Sequence, residues 1–140
     1  MQITVSQEIM ENMKKHALED FPNECVGFMI GDYTENEKTV LEYLRIKNSQ
    51  EGDKRRRFQV SPSDYIKAEK LALETKRTLL GVHHSHPLHP AIPSEHDLKQ
   101  ALPFFSYIIS SVSDTEVSNV TSWSLNDAGT KFEEETITLN

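Results

Sequence analysis

Histidines are concentrated in one short segment of the chain. Four of the six fall within VHHSHPLHP, residues 82–90, and a neutral imidazole is a common metal ligand. Successive side chains of an extended strand point to opposite faces, so His84 and His86 share one face, whereas His83 points to the other and is interpreted as a core residue. A catalytic zinc site uses three protein ligands and a water molecule. The segment therefore predicts two ligands of a metal site whose third ligand lies elsewhere.

The third ligand has several candidates just after this segment. They are His89, Glu95, His96 and Asp97. The sequence PSEHD places Ser94 at a helix start and Asp97 in the first turn, where a carboxylate is held toward whatever the helix N-terminus faces. The same spacing is also typical of a capping box, in which the two residues only satisfy the backbone of the helix. Spacing alone leaves the ligand and the capping interpretations open.

The complete pattern resembles a known family motif. The sequence HSHP begins at His84, Ser94 and Asp97 follow, and ten residues, 87–96, separate His86 from Asp97. Upstream, ECVG supplies a glutamate, Glu24. This closely resembles the JAMM (MPN+) zinc metalloproteases, whose motif is a distant glutamate followed by H-x-H-x10-D. The order of the predicted elements extends the resemblance over most of the chain.

The resemblance implies a role for each motif residue. His84, His86 and Asp97 would bind Zn²⁺, with a water molecule in the fourth position, and Glu24 would be the general acid and base. Ser94 would help to stabilise the oxyanion. The implied reaction is hydrolysis of the peptide or isopeptide bond after the C-terminal Gly-Gly of a ubiquitin-like or sulfur-carrier protein. The short sequence after Asp97 has no room for the long insertions of eukaryotic deubiquitinases, so we expect the compact prokaryotic form.

Two other functions and one other catalytic residue are compatible with parts of the pattern. A noncatalytic MPN-type scaffold would have lost ligands, whereas all five motif residues are present here. A two-histidine, one-carboxylate Fe(II) oxygenase tends to use a different order and spacing of its ligands. The single cysteine, Cys25, could pair with a histidine as a nucleophile, but a strand would point it away from Glu24, which favours a buried, inert role.

The elements that must position these residues follow from hydrophobic periodicity and from turn residues. Ser6 and Ser61 are predicted to cap two helices, with Pro62 at the first position of the second helix and Asp64 completing a capping box. The predicted helices cover residues 6–19, 61–76 and 94–102, and the predicted strands cover 24–31, 39–46, 58–60, 78–86, 106–112, 120–125 and 131–139. This order predicts an α+β fold with a mixed, largely antiparallel sheet flanked by helices. The resemblance implies the MPN/JAMM-like fold, with a cytidine-deaminase-like α/β/α arrangement.

Composition limits the remaining possibilities. A length of 140 residues predicts one domain, residues 1–140, with no internal repeat. The net charge of -7 argues against binding to nucleic acid or to an anionic membrane. The basic run KRRR, residues 54–57, is a local exception that fits either a solvated loop or a site for an acidic partner. One cysteine excludes an intrachain disulfide, and no apolar stretch has the length of a membrane span, so we expect a cytoplasmic protein.

Overall fold

This computed structural model describes residues 2–140, which contain three helices and seven strands joined by loops. The α+β class predicted from the sequence is confirmed. In chain order the elements are β1 (Gln2–Val5), α1 (Gln7–Asp20), β2 (Val26–Tyr33), β3 (Glu37–Ile46), α2 (Pro62–Glu74), β4 (Thr78–Pro87), α3 (Glu95–Gln100), β5 (Ser106–Val112), β6 (Val117–Leu125) and β7 (Phe132–Leu139).

The strands form a single mixed sheet that closes on itself. Their order is β1-β3-β2-β4-β5-β6-β7, and β7 pairs with β1 to close a barrel. The pairs β1–β3, β1–β7 and β4–β5 are parallel, and the other four pairs are antiparallel. Closure depends on β1, a four-residue strand that the sequence analysis did not predict.

Helices α1 and α2 pack on opposite faces of the central strands. On α1, Met10 and Met13 are buried against side chains of five strands, from β1 to β5. On α2, Ala68 and Ala72 pack against the other face, together with Phe28 of β2. The apolar run of β2 is continuous because this strand is buried on both of its faces. The predicted sheet flanked by helices is confirmed.

A β-bulge in β4 decides which face its histidines occupy. The register with β2 jumps from Gly81 to Leu79 and skips Leu80. Leu79 and Val82 both pack on the α2 side, although regular alternation would place them on opposite faces. The extra residue shifts the phase of the strand, as bulges do. His84 therefore lies on the α2 side.

Capping serines begin the helices as predicted. The Ser6 hydroxyl oxygen accepts a hydrogen bond from the Ile9 amide in α1, and Ser61 accepts one from the Asp64 amide in α2. The brief strand predicted at residues 58–60 is wrong, since this segment has no ladder pairing. Its apolar residues are nevertheless buried, and Phe58 packs in the cluster beneath α2. Burial, rather than strand pairing, explains the apolar pattern there.

No helix between residues 2 and 140 combines the length and the apolar character that a membrane crossing requires.

The close approach of β4 to β5 gives a testable prediction. A Cβ atom at Gly81 would lie 1.9 Å from the carbonyl oxygen of Ser106, so Gly81→Ala has to separate the two strands. We expect a loss of about 1–3 kcal/mol in the free energy of unfolding, measured by urea denaturation.

The matched control is Gly129→Asn. Residue 129 has a φ of +70° and open space around it, and asparagine tolerates this conformation. The control should change the stability by less than about 0.5 kcal/mol. Equal unfolding midpoints for the two variants would contradict the close packing at Gly81.

Candidate active site

Two histidines project from the end of β4 toward α2. The ring centroids of His84 and His86 lie 5.1 Å apart, and the Phe58 ring stacks on His84 at 4.3 Å. Between them, Ser85 points to the opposite face, where its hydroxyl oxygen accepts a hydrogen bond of 2.8 Å from the Cys25 amide. His83 also lies on that opposite face. The predicted pairing of His84 with His86 on one face is confirmed.

Asp97 forms the predicted capping box and also lies beside both histidines. Its carboxylate accepts a 2.9 Å hydrogen bond from the Ser94 amide, while the Ser94 hydroxyl oxygen accepts a 3.1 Å bond from the Asp97 amide, which completes a capping box. The same carboxylate reaches both imidazoles. Asp97 Oδ2 lies 3.1 Å from His86 Nε2, and Asp97 Oδ1 lies 3.8 Å from His84 Nε2. The cap thus fixes the carboxylate beside the histidines.

Glu24 forms the third side of this group. It lies two residues before β2, whose register pairs Val26 with His84. The side chain is 3% exposed, and its Oε1 atom lies 3.4 Å from His84 Nδ1. The backbone is held on both sides, since the Glu24 amide donates to the Lys54 carbonyl at 2.7 Å and its carbonyl accepts from the Asn48 side chain at 3.2 Å.

Several buried polar atoms at this point lack hydrogen-bond partners. Among residues 2–140 four buried side-chain atoms are unpaired, and three of them are here, namely Glu24 Oε1 and both ring nitrogens of His84. Each unsatisfied buried group costs about 1–3 kcal/mol. A cation would satisfy such atoms. Two ligands of a tetrahedral zinc ion lie about 3.3 Å apart, close to the 3.1 and 3.8 Å that separate Asp97 from the imidazoles. The donor set therefore fits a metal ion.

The charges of the group favour an ionised carboxylate. Burial raises the pKa of Asp97, but the electrostatic influence of the neighbouring His84 ring and the hydrogen bond with His86 lower it by more, so it lies below the usual range. Burial lowers the pKa of His86, but the hydrogen bond with Asp97 and its charge raise it by more. Asp97 is consequently anionic at neutral pH, which is the state that a metal ligand requires.

A cavity of about 280 Å³ opens onto these residues. Glu24, His86 and Ser94 line it. The Ser94 hydroxyl oxygen already accepts the Asp97 amide bond, so its own hydrogen is available to a group bound in the cavity. Three of the five predicted site residues thus line the cavity, and the other two, His84 and Asp97, are buried in contact with them.

The other three candidate ligands lie outside this group. Glu95 is exposed at the start of α3. His89 is exposed and lines the same cavity, and its ring lies edge-on to that of His86 with the centroids 6.2 Å apart. His96 Nε2 instead lies 3.2 Å from the carbonyl oxygen of Phe58. All three are therefore assigned to the surroundings of the site.

Asn48 is a site residue that the sequence analysis missed. Its side-chain amide donates to the carbonyl oxygens of Glu24 and Arg57, and its side-chain oxygen accepts from the amides of Gln50 and Gln59. It thereby joins both ends of the segment 48–59 to the backbone of Glu24. Asparagine is common in turns, and its sequence neighbours give no sign of this function.

Most of the chain matches the sequence profile of a known family. The profile of the family described as prokaryotic homologs of the JAB domain matches residues 6–126, a range that contains every predicted site residue. The chain belongs to the prokaryotic JAB family. The resemblance to the JAMM/MPN+ proteins is therefore confirmed at the level of the family.

Individual relatives of the JAB family agree with this assignment. A relative from Thermus thermophilus, named a probable TtuB-protein conjugate cleaving protease, is 29% identical over 105 residues, which are 75% of this chain and 67% of that protein. The solution structure of a protein from Desulfitobacterium hafniense has a TM-score of 0.85 at 30% identity and covers 99% of this chain and 93% of that one. One from Salinibacter ruber has a TM-score of 0.75 at 32% identity, covering 100% and 92%.

A more distant structure supports the fold alone. The crystal structure of a JAB1/MPN domain protein from Archaeoglobus fulgidus has a TM-score of 0.63 at 18% identity, covering 99% of this chain and 98% of that one. The expectation of an MPN/JAMM-like fold is confirmed.

A second cluster of ligand-type residues lies on the opposite face of β4. It comprises His16, Cys25 and His83, all buried. The Tyr43 hydroxyl lies 2.7 Å from His16 Nδ1 and 2.8 Å from His83 Nδ1, and His83 Nε2 lies 2.8 Å from the Ser110 hydroxyl. These imidazole contacts are satisfied by protein groups, in contrast to those of His84. We interpret this second cluster as a structural hydrogen-bond network.

Cys25 is buried as the sequence predicted, and its reactivity can be tested. Burial raises the pKa of its thiol to about 12, so the thiolate is almost absent at pH 8. The native protein should therefore react with Ellman's reagent at least about 100-fold more slowly than the same protein in guanidinium chloride. A rapid reaction of the folded protein would contradict the burial and would reopen the nucleophile interpretation.

Proposed function

We propose that this protein is a zinc-dependent peptidase or isopeptidase that cleaves the bond after the C-terminal Gly-Gly of a ubiquitin-like or sulfur-carrier protein. The observation that carries the proposal is that two imidazoles and two carboxylates meet at one buried place. Three of their own polar atoms there lack hydrogen-bond partners. Membership of the prokaryotic JAB family supports a peptidase-like role. The Thermus relative is named for cleaving a protein conjugate, which supports a substrate of that class here.

His84, His86 and Asp97 would hold the zinc ion. Two nitrogens and one carboxylate are a donor set that catalytic zinc sites use, with one position left for water. When bound, zinc supplies the Lewis-acid chemistry, lowering the pKa of water and polarising the scissile carbonyl. The capping box keeps Asp97 in place before and after binding, since its backbone bonds do not depend on the metal.

Glu24 would move the protons of the reaction. Its unpartnered Oε1 atom faces the histidines, and its carboxylate lines the cavity. It takes one proton from the attacking water and delivers it to the nitrogen of the scissile bond as that C–N bond breaks, so the amine leaves uncharged. The nearly complete burial of Glu24 keeps bulk water from competing for this proton.

Ser94 would stabilise the charge that develops on the carbonyl oxygen. Ser94 lines the cavity, as Glu24 does, and its hydroxyl retains a hydrogen to donate. A donor that is already oriented by the helix cap needs little rearrangement as the charge develops. The presence of Glu24 and Ser94 on the same cavity supports both roles.

A noncatalytic MPN-type interaction module is the alternative function. A scaffold has no use for the unpaired atoms of Glu24 and His84, whose burial lowers stability when nothing binds between them. A two-histidine, one-carboxylate iron oxygenase would use the same three ligands with iron. Metal analysis of the purified protein separates these functions, because our proposal requires zinc.

Replacing the proposed acid and base tests the catalytic role. Glu24→Gln keeps the size and polarity of the side chain but cannot accept a proton, so zinc content should persist, while cleavage falls about 10²–10⁴-fold. The substrate is a ubiquitin-like protein extended beyond its Gly-Gly, with products detected by mass spectrometry and zinc by elemental analysis. Unchanged cleavage by Glu24→Gln would exclude this role.

Replacing the third ligand separates the ligand role from the capping role. Asp97→Ala should weaken zinc binding by at least about 100-fold, because a ligand matters more than the outer groups whose loss costs 10–100-fold. Asp97→Asn is the matched variant, since its side-chain oxygen can still cap the helix. It should keep the helix cap, and so lose less metal-free stability than Asp97→Ala, while binding zinc more weakly than the wild type.

The capping interpretation makes a different prediction for the same variants. If Asp97 only caps the helix, Asp97→Ala binds zinc like the wild type and loses about 1 kcal/mol of stability. Competition with a chelator of known affinity, combined with urea unfolding of the metal-free proteins, decides between the two roles.

A further inference from the structure

The basic run KRRR lies at the mouth of the active-site cavity. We name residues 54–57 the basic loop. Arg55 and Arg56 line the cavity together with Glu24. They also line a neighbouring cavity of about 380 Å³, to which Leu88 contributes. The two arginines and His89 are common to both cavities, so the loop borders a cleft that continues outward from the site.

The loop is held in place at both ends. Before the two arginines, the Lys54 carbonyl accepts the hydrogen bond of the Glu24 amide. After them, the Arg57 carbonyl accepts a 3.0 Å bond from Asn48, which also binds the Glu24 carbonyl. Arg55 and Arg56 therefore occupy a fixed position relative to the proposed general base, which a freely solvated loop would lack.

The two guanidinium groups are available to a ligand. Their side chains are 69% and 81% exposed. Within residues 2–140 their ion-pair partner is Asp53, approached by Arg55 Nε at 3.5 Å and by Arg56 Nε at 3.9 Å. These ion pairs leave the terminal nitrogens, which form the paired donors that bind carboxylates, facing solvent. The positive charge is local, since the whole chain carries -7.

Apolar groups flank this charge. Leu88 is 76% exposed and Ile92 is 62% exposed, and each lines one of the two cavities. A surface that combines guanidinium groups with exposed aliphatic side chains fits a polypeptide better than a polyphosphate, because nucleic-acid affinity comes mainly from many phosphate contacts.

We propose that Arg55 and Arg56 select substrates that carry acidic residues beside the scissile bond. This inference rests on the proposed function, because it takes the cleft as the path of the substrate chain. The carboxylates of the substrate bind the two guanidinium groups, and aliphatic residues next to them contact Leu88 and Ile92. The occupant is thus an acidic protein segment that adjoins the Gly-Gly tail.

Binding of peptides tests this selection without relying on turnover. The probes are three fluorescent peptides with a central Gly-Gly and, on each side, four acidic, four amide or four basic residues. Zinc-loaded Glu24→Gln protein, which does not consume them, is titrated at low and at high salt, with anisotropy as the readout. We expect the acidic peptide to bind roughly 3- to 10-fold more tightly than the amide peptide at low salt, with the preference lost at 0.5 M NaCl.

Variants assign the preference to the loop. Arg55→Ala/Arg56→Ala, made in the same background, should abolish it, whereas Arg55→Lys/Arg56→Lys should keep most of it. Lys67→Ala/Lys70→Ala removes the same charge from the exposed side of α2 and should leave it unchanged. The proposal is overturned if the Arg55→Ala/Arg56→Ala protein retains the preference for the acidic peptide. It is also overturned if the protein with both arginines intact shows no preference.

Further outcomes separate this proposal from the proposed function. If the wild-type protein cleaves the amide peptide as efficiently as it cleaves the acidic peptide, the proposed peptidase activity stands and the proposed selection is overturned. Loop-dependent binding of the acidic peptide without cleavage of any substrate would support the binding surface and count against the peptidase. Tighter, arginine-dependent binding of a single-stranded RNA of equal length would make the loop a nucleic-acid site and overturn the proposal.

Discussion

The antiparallel pairing of β2 with β4 is the interaction on which the site depends. It places Val26 opposite His84 and so brings Glu24 to the end of β4. Ser85 secures this arrangement, because its hydroxyl accepts the Cys25 amide bond and its own amide donates to the Cys25 carbonyl. The residue between the two histidines of the motif therefore fixes the segment that carries the glutamate. One strand pair positions two of the three proposed ligands and the proposed base.

The two faces of β4 show how one short sequence serves two purposes. His83 is fully buried, and this burial lowers its pKa well below the usual value, so it is a neutral member of a network with Tyr43 and Ser110. His84 is equally buried, yet both of its ring nitrogens lack hydrogen-bond partners. Adjacent histidines thus differ in whether the protein itself satisfies them. This difference, rather than the number of histidines, distinguishes a candidate metal centre from a structural network.

Local rules of sequence predicted the parts of the fold that have local causes. The serine caps, the β2–β3 hairpin and the alternation at His84 follow from neighbours a few residues apart. Closure of the barrel through β1 could not be predicted, because four residues carry too little periodicity and their partners lie far along the chain. The bulge at Leu80 was equally invisible, although the prediction for His84 and His86 survived because it used only their mutual spacing.

Asn48 has a consequence for how this protein can change. Its four hydrogen bonds close the segment 48–59 at its base, where the chain meets Glu24. Residues farther out are attached to the site through this base and through the Lys54 carbonyl. Length and charge beyond the base can consequently vary during evolution while the reacting groups keep their positions. The proposed selectivity and the proposed chemistry therefore belong to separable parts of the chain, and the side-chain amide of Asn48 lies at the boundary between them.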